Sequence, residues 1–317
     1  MRLKPNLLTY LLIWCLVNIA CSQTAPTQNI SGTSVFQGST PGDGLIKSLL
    51  TIQDNIKVDF IRWKLSLNAG TTGQHSFSLD IVFGEAQQNT LGFQGGGQKL
   101  SFTGEYTVSM NKDANYTGEI YHLKSSRLPK EILLRKLNDN LLHLLKTQNE
   151  LMNGNAGYSY TLNRVNPVIP SSYGFTSQST GSSSAGSSLD TVNAFHGRTH
   201  CNPELIKLNG VADAGYQRIK WELTLYYDPQ TQMPTTFQHR SIYVGVVDAV
   251  ATKTGRWEIT KGMKTDSQAI VYLLRLDAGG SLALLRGDDN VLFFLDKDRN
   301  LMVGNEDHSY TLNRKSK

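Results

Sequence analysis

Cysteine is nearly absent from this chain: there are three in 317 residues, Cys15, Cys21 and Cys201. A disulfide framework is excluded once Cys15 leaves with an N-terminal signal and Cys21 is acylated, because Cys201 then has no partner within the chain. Charge is also sparse, at 18% of residues. The 31 basic and 26 acidic side chains leave a formal charge of only +5. No basic run interleaved with aromatics occurs, and these two facts together set aside a nucleic-acid partner. After residue 21 no apolar run is long enough to cross a bilayer as a helix. Catalytic patterns are missing too. There is no nucleophile elbow, paired-His motif or Ser/His/Asp set. Gly95-Gly96-Gly97-Gln98-Lys99 lacks the spacing and the closing hydroxyl of a phosphate loop. Carboxylates such as Glu105 and Glu222 fall on wet positions of strand patterns. The chain reads as a non-enzyme, and no cofactor is implied.

What is present is a repeat. Leu151-Met152-Asn153-Gly154-Asn155 leads into Ser159-Tyr160-Thr161-Leu162-Asn163-Arg164. Leu301-Met302-Val303-Gly304-Asn305 leads into Ser309-Tyr310-Thr311-Leu312-Asn313-Arg314 with the same spacing. The chain is therefore two related domains in tandem. Its length suits two domains of roughly 150 residues each.

The N-terminus has the parts of a secretory signal: basic Arg2 and Lys4, an apolar stretch from Leu7 to Ala20, then Ala20-Cys21-Ser22. Cys21 directly after Ala20 fits the bacterial lipoprotein processing box, in which the cysteine becomes the first mature residue and carries the lipid. Ordinary signal cleavage and an uncleaved anchor are the other readings. Loss of Arg2 and Lys4 leaves 29 basic against 26 acidic side chains, a balance of +3. Residues 21–49 begin with a segment rich in Ser, Thr, Gln, Gly and Pro and read as a flexible tether. Residues 165–201 contain a second such stretch and read as an inter-domain linker. The expected domains are 50–164 and 202–317.

Inside each domain the hydrophobic period is two. Ile61, Trp63, Leu65 and Leu67 alternate with Arg62, Lys64 and Ser66, and Ile219, Trp221, Leu223 and Leu225 alternate with Lys220, Glu222 and Thr224. Phe77, Leu79, Ile81 and Phe83 repeat the pattern. Strands with one buried and one wet face require it. The Leu-rich segment from Pro129 to Glu150 would also pass as an amphipathic helix. Its counterpart in the second copy holds Gly287-Asp288-Asp289-Asn290, a turn signal, and Asn138-Asp139-Asn140 sits at the same place in the first. A hairpin is therefore expected in both copies. The fold class is all-β, with one small antiparallel barrel per domain.

In the second copy several short motifs follow in order: Trp221-Glu222-Leu223-Thr224-Leu225-Tyr226, Pro234-Thr235-Thr236-Phe237, Thr254-Gly255-Arg256-Trp257, Ala269-Ile270-Val271-Tyr272-Leu273-Leu274, Asp289-Asn290-Val291-Leu292-Phe293-Phe294-Leu295-Asp296 and the closing motif. Together they resemble the N-terminal domain of the NlpE lipoproteins of copper resistance and envelope stress, over about residues 209–314. A fainter likeness covers about 58–164, through Trp63, Gly104-Glu105-Tyr106 and the closing motif. The resemblance implies lipocalin-like barrels on a lipid anchor, and a role in copper tolerance, surface sensing or stress signalling. It also places the chain in the cell envelope, facing the periplasm, and Ser22 after Cys21, with no acidic residue there, favours the outer membrane by analogy with known lipoproteins. Family members commonly carry a Cys-x-x-Cys pair before the first strand. Here Val211-Ala212-Asp213-Ala214-Gly215 keeps the Ala-Asp and the Gly but has no cysteine, so that soft-metal clamp is missing.

Few residues are candidates for a site. His196, His200 and Cys201 have metal-ligand character if their segment is helical, and would make a copper carrier the alternative function. Otherwise they are a linker end with Cys201 buried as a small apolar residue. Asp296, Asp298, Asn300 and Asp307 mimic a calcium loop, but Leu301 stands where the turn needs Gly, so a polar turn is expected. Trp63 and Trp221 occupy matching inward positions and either fill the barrels or stack on a ligand at a mouth. The leading expectation is a lipid-anchored binding or sensing protein. Its partners would be the membrane through Cys21 and either another envelope protein or a small apolar ligand.

Overall fold

The computed structural model describes residues 32–70, 73–113, 116–168, 191–212, 214–245 and 247–315. Cys21, the signal and the Ser/Gly core of the linker lie outside the described residues. The first copy contains β1 (Gly32–Pro41), α1 (Gly44–Leu49), β2 (Phe60–Ala69), β3 (His75–Gly84), β4 (Gln98–Asp113), β5 (Tyr116–Lys124), β6 (Ile132–Asn138), β7 (Leu141–Thr147), the two-residue β8 (Glu150–Leu151) and β9 (Thr161–Arg164). The second contains β10 (Val192–His200), α2 (Pro203–Leu208), β11 (Arg218–Tyr227), β12 (Pro234–Val244), β13 (Ala249–Met263), β14 (Asp266–Leu276), β15 (Ser281–Arg286), β16 (Val291–Leu295) and β17 (Thr311–Arg314). Each copy is a closed, eight-stranded antiparallel barrel. Strands follow one another round the wall, and the last returns beside the first. Closure leaves no long unpaired edge.

The alternating pattern is what closes each wall round a core. Ile61, Trp63, Leu65 and Leu67 are buried with Phe77, Leu79, Ile81 and Phe83 of the next strand. Each such side chain contributes about 1.5–3 kcal/mol on leaving water. The Leu-rich segment is a hairpin, β6 to β7, and β15 to β16 is its match. In the turns, Asn140 N donates to Asn138 Oδ1 at 2.8 Å, and Asn290 N and Val291 N donate to Asp288 Oδ1 at 2.8 and 2.9 Å.

The domain starts differ from expectation. The barrels begin at Gly32 and Val192, inside the segments read as tether and linker. Both first strands are poor in apolar residues for a steric reason. A Cβ on Gly38 would lie 2.6 Å from Thr161 O, and one on Gly197 would lie 2.5 Å from Thr311 O. The inward residues two positions on are Thr40 and Thr199, whose hydroxyls each accept a 2.9 Å hydrogen bond from the indole of Trp63 or Trp221. A strand built this way has the composition of a linker.

A short helix follows each first strand, a feature that the hydrophobic pattern did not signal. Asp43 caps α1 by accepting from Ile46 N at 3.1 Å, and Asn202 caps α2 by accepting from Glu204 N at 2.8 Å. Ile46 and Leu49 join the core of the first barrel, and Leu205 and Ile206 that of the second.

Candidate functional site: the seam between the barrels

Trp63 and Trp221 are core residues, 1% and 2% exposed. Trp221 packs on Phe294, with centroids 5.1 Å apart. The indoles fill the barrels and are not presented at a mouth. The proposed metal trio is not assembled. β10 is a strand, so His196 and His200, four residues apart, stand about 13 Å from each other at roughly 3.3 Å per residue. Helical spacing would have brought them together; an extended chain does not. Cys201 follows, half-buried, against the core of the second barrel. Among the described residues no group of three or more His, Cys, Asp or Glu could hold a metal ion. Asp296 forms the polar turn, accepting from Asp298 N and Asn300 N at 2.9 and 2.8 Å.

The repeated motif lies instead where the two barrels meet. Ser159 bonds Ser309, and Thr161 bonds Thr311 at 3.0 Å, so each residue meets its own equivalent. Gly154 N donates to Asn313 Oδ1 at 2.8 Å, and Gly304 N donates to Asn163 Oδ1 at 2.8 Å. Asn163 Nδ2 donates to Asn305 O at 3.0 Å, and Asn313 Nδ2 to Asn155 O at 3.4 Å. Residue i contacting j while j contacts i is the mark of an isologous, two-fold interface. Beside it lies an apolar cluster shared by both barrels, including Leu141, Leu145 and Leu151 with Val291, Phe293, Leu295 and Leu301. Residues 141–145 of β7 and all of β16 are therefore buried on both faces, which explains why their apolar residues do not alternate with wet ones.

One edge of this seam is cationic. On β10 and β11 the register sets Arg198 opposite Lys220 and His200 opposite Arg218. All four face outward, because Thr199, Ile219 and Trp221 between them point into the core. Among the described residues neither Arg198 nor Arg218 forms an ion pair or donates a hydrogen bond, and the Nε of each is shielded from solvent without a partner. The nearby carboxylate of Asp307 is taken by Arg62 of the first barrel. Burial, and then the charge of Arg218, hold the Arg198 pKa below its ordinary value.

Two aromatic residues lie within electrostatic reach of these guanidinium groups. His308 is 5% exposed and neither of its ring nitrogens makes a hydrogen bond of ordinary geometry. Burial first, then Arg198, Arg218 and His200, push its pKa down to about 3, so the ring is neutral. Tyr158 comes from the opposite barrel; burial raises its hydroxyl pKa, Arg198 and Arg218 act to lower it, and the carboxylates of Asp59 and Asp307 act to raise it. A Cβ on the adjacent Gly157 would lie 3.8 Å from Arg198 Cζ, so the guanidinium reaches the 155–158 loop.

Among the described residues the first barrel has no such cluster. By the Trp63–Trp221 match, Phe60 stands where the second barrel has Arg218, and by the repeat Tyr158 stands where it has His308. Phe60 stacks on Tyr158 at 4.8 Å and on Phe93 at 4.0 Å, the latter carried by the long connection between β3 and β4. An aromatic stack in one copy is thus replaced by cations in the other. The sequence signal for this site is basic residues at alternate strand positions: Arg198 with His200, and Arg218 with Lys220. The first pair lies within 165–201, a stretch with the composition of a linker.

The interior of the second barrel is also more polar. His239, Ser241 and Tyr243 point inward where the first barrel has Leu79, Ile81 and Phe83. His239 is 1% exposed with both ring nitrogens unpartnered, and burial followed by the charge of Lys253 lowers its pKa to about 4. Its ring packs beside Trp221 at 5.5 Å and Phe237 at 6.1 Å. Replacing it with leucine, as at Leu79, removes the desolvated polar atoms. His239→Leu is expected to raise stability at neutral pH by about 1–3 kcal/mol, read as a higher midpoint in a urea melt. A lower midpoint would mean that His239 contributes an attraction which the packing does not reveal.

No protein-family model matches this chain, and neither the curated proteins nor the solved structures contain a match to it.

Proposed function

We propose that this is a lipid-anchored, non-catalytic binding or sensing protein of the cell envelope, of NlpE-like kind, whose working surface is the cationic edge of the seam. The observation that carries this reading is the pair Arg198 and Arg218, diagonal neighbours on β10 and β11 that act on one another electrostatically and are ion-paired to no carboxylate among the described residues. Leaving like charges uncompensated costs stability, and such costs are retained where function needs them. Two barrels with filled cores favour a partner on the outside over a small apolar ligand within. The signal, Cys21 and the ordered NlpE-like motifs support anchoring at the outer membrane facing the periplasm, with a part in envelope stress or copper tolerance. The spread of His196, His200 and Cys201 gives the copper-carrier alternative no support.

Two measurements test this proposal. Radiolabelled palmitate should enter the wild-type chain and not the Cys21→Ser variant, which should appear in the soluble periplasmic fraction. A wild-type chain without label would remove the anchor. A photo-cross-linking residue at Lys220 should capture a partner in intact cells, whereas one at the exposed Met110 of β4 should not. Equal capture at both positions, or none at either, would remove the seam as the working surface.

A further inference from the structure

We propose that the cationic edge of the seam binds a phosphate group through Arg198, Arg218, Tyr158 and His308. The proposal rests on the seam being the working surface, and adds the chemical class of what it holds. Guanidinium groups are planar forks of donors that suit oxyanions, and here two of them are free of any protein carboxylate among the described residues. Two uncompensated positive charges match a dianion better than a monoanion. The donors come from four separate places: β10, β11, the 155–158 loop of the opposite barrel and the 305–308 loop. Donors arriving from several directions suit a tetrahedral group with three terminal oxygens rather than a flat carboxylate with two.

His308 supplies the second, independent observation. It is a nearly fully buried polar side chain whose nitrogens make no hydrogen bond of ordinary geometry, the backbone of the adjacent Asp307 exerting only the smallest of the effects on the ring. A neutral imidazole offers one N–H and one lone pair. It can donate to a charged phosphate oxygen, or accept from a P–OH, while the guanidinium groups take the remaining oxygens. Neither arrangement requires the ring to be charged beside two arginines. At the position in the first barrel equivalent to Arg218, Phe60 stacks on Phe93 and on Tyr158, so that side of the seam offers no second guanidinium pair.

The phosphate could be free or could be the headgroup of a phosphomonoester lipid, and the test separates these sources. The probes are inorganic phosphate and phenyl phosphate in equilibrium dialysis, and phosphatidylcholine vesicles with and without phosphatidic acid in flotation. The protein is the mature chain carrying Cys21→Ser, so that the anchor does not bring it to the vesicles. Saturable uptake of about one phosphate per chain is expected, weakened at least tenfold by Arg198→Gln or Arg218→Gln. Arg275→Gln, on the outer face of β14 and paired with Glu258, should have no effect. Flotation that depends on phosphatidic acid, without uptake of free phosphate, would assign the lipid source and still support the site. Arg218→Lys keeps the charge, and a several-fold loss in it would show that the planar fork matters even if the Gln variants fold poorly. Absence of saturable binding to any of the probes, or equal binding in the Arg198, Arg218 and Arg275 variants, would overturn the proposal. So would uptake of citrate in preference to phosphate. If cross-linking at Lys220 persists while phosphate binding fails, the ligand class is wrong and the working surface stands.

Discussion

Asn163→Ala is expected to destabilise the protein by about 2–4 kcal/mol, and Asn313→Ala by a similar amount. Each carboxamide makes the same pair of bonds across the seam. Asn163 accepts from Gly304 N and donates to Asn305 O, while Asn313 accepts from Gly154 N and donates to Asn155 O. Both asparagines are fully buried. Truncation leaves one backbone N–H and one C=O without their partner in a part-buried place, at about 1–3 kcal/mol for each group with the lower end favoured where water can substitute. The Nδ2 bond of Asn313 is longer, 3.4 against 3.0 Å, so its loss should be the smaller by a few tenths. For a body of this size the fall in melting temperature is about 2–4 °C per kcal/mol. Denaturant melts of both variants would check the figure. A full effect in one and none in the other would show that the two-fold relation does not extend to energetics.

The repeat was the most legible feature of the sequence, and the seam explains why it survived divergence. Asn155 and Asn305 each hold their own loop, accepting from Gly157 N and Tyr158 N, and from Asp307 N and His308 N. Tyr160 and Tyr310, with Leu162 and Leu312, are in the cores. The serines, threonines and asparagines between them cross the interface. A self-complementary surface constrains both copies at once, because a change on one side must suit its mate on the other. Alternation made the barrels legible for a similar reason: one face must be dry. The first strands were not legible, because close packing allows only Gly38 and Gly197 at their centres, and small residues look like linker. The metal trio needs a helix that its Gly- and Pro-flanked segment does not suggest, and His196 and His200 lie on a strand. The cationic edge was missed because its members, Arg198, Arg218, Tyr158 and His308, are distant in sequence. They meet only when two barrels dock.

Acid should unfold this protein unusually steeply, and the window follows from three buried imidazoles. His143 is held at a pKa of about 3 by burial, His239 at about 4 and His308 at about 3, all below the ordinary 6.5. The unfolded chain takes up these protons near pH 6.5, while the folded chain resists until 3 or 4. Stability is therefore fully present above about pH 6.5 and is lost as pH falls from there toward 4. Each histidine contributes a slope approaching about 1.4 kcal/mol per pH unit, so three approach about 4. Asp288 and Asp307, raised by burial from 3.8, act in the opposite sense and only toward the acid end. His143 ties this behaviour to the seam. Its Nε2 faces Met152 O at 2.9 Å, and a carbonyl can only accept, so Nε2 carries the proton. Nδ1 then accepts from the hydroxyl of Thr161, which is bonded to Thr311 across the interface. A second proton on the ring would put two donors face to face unless the hydroxyl turned away. Urea melts between pH 8 and 4.5 would measure the slope, and His239→Leu should flatten it by about a third while raising the neutral plateau. A plateau that stays level down to pH 5 would mean that water reaches these rings, and that the dry seam and core on which the two-barrel architecture depends are not dry.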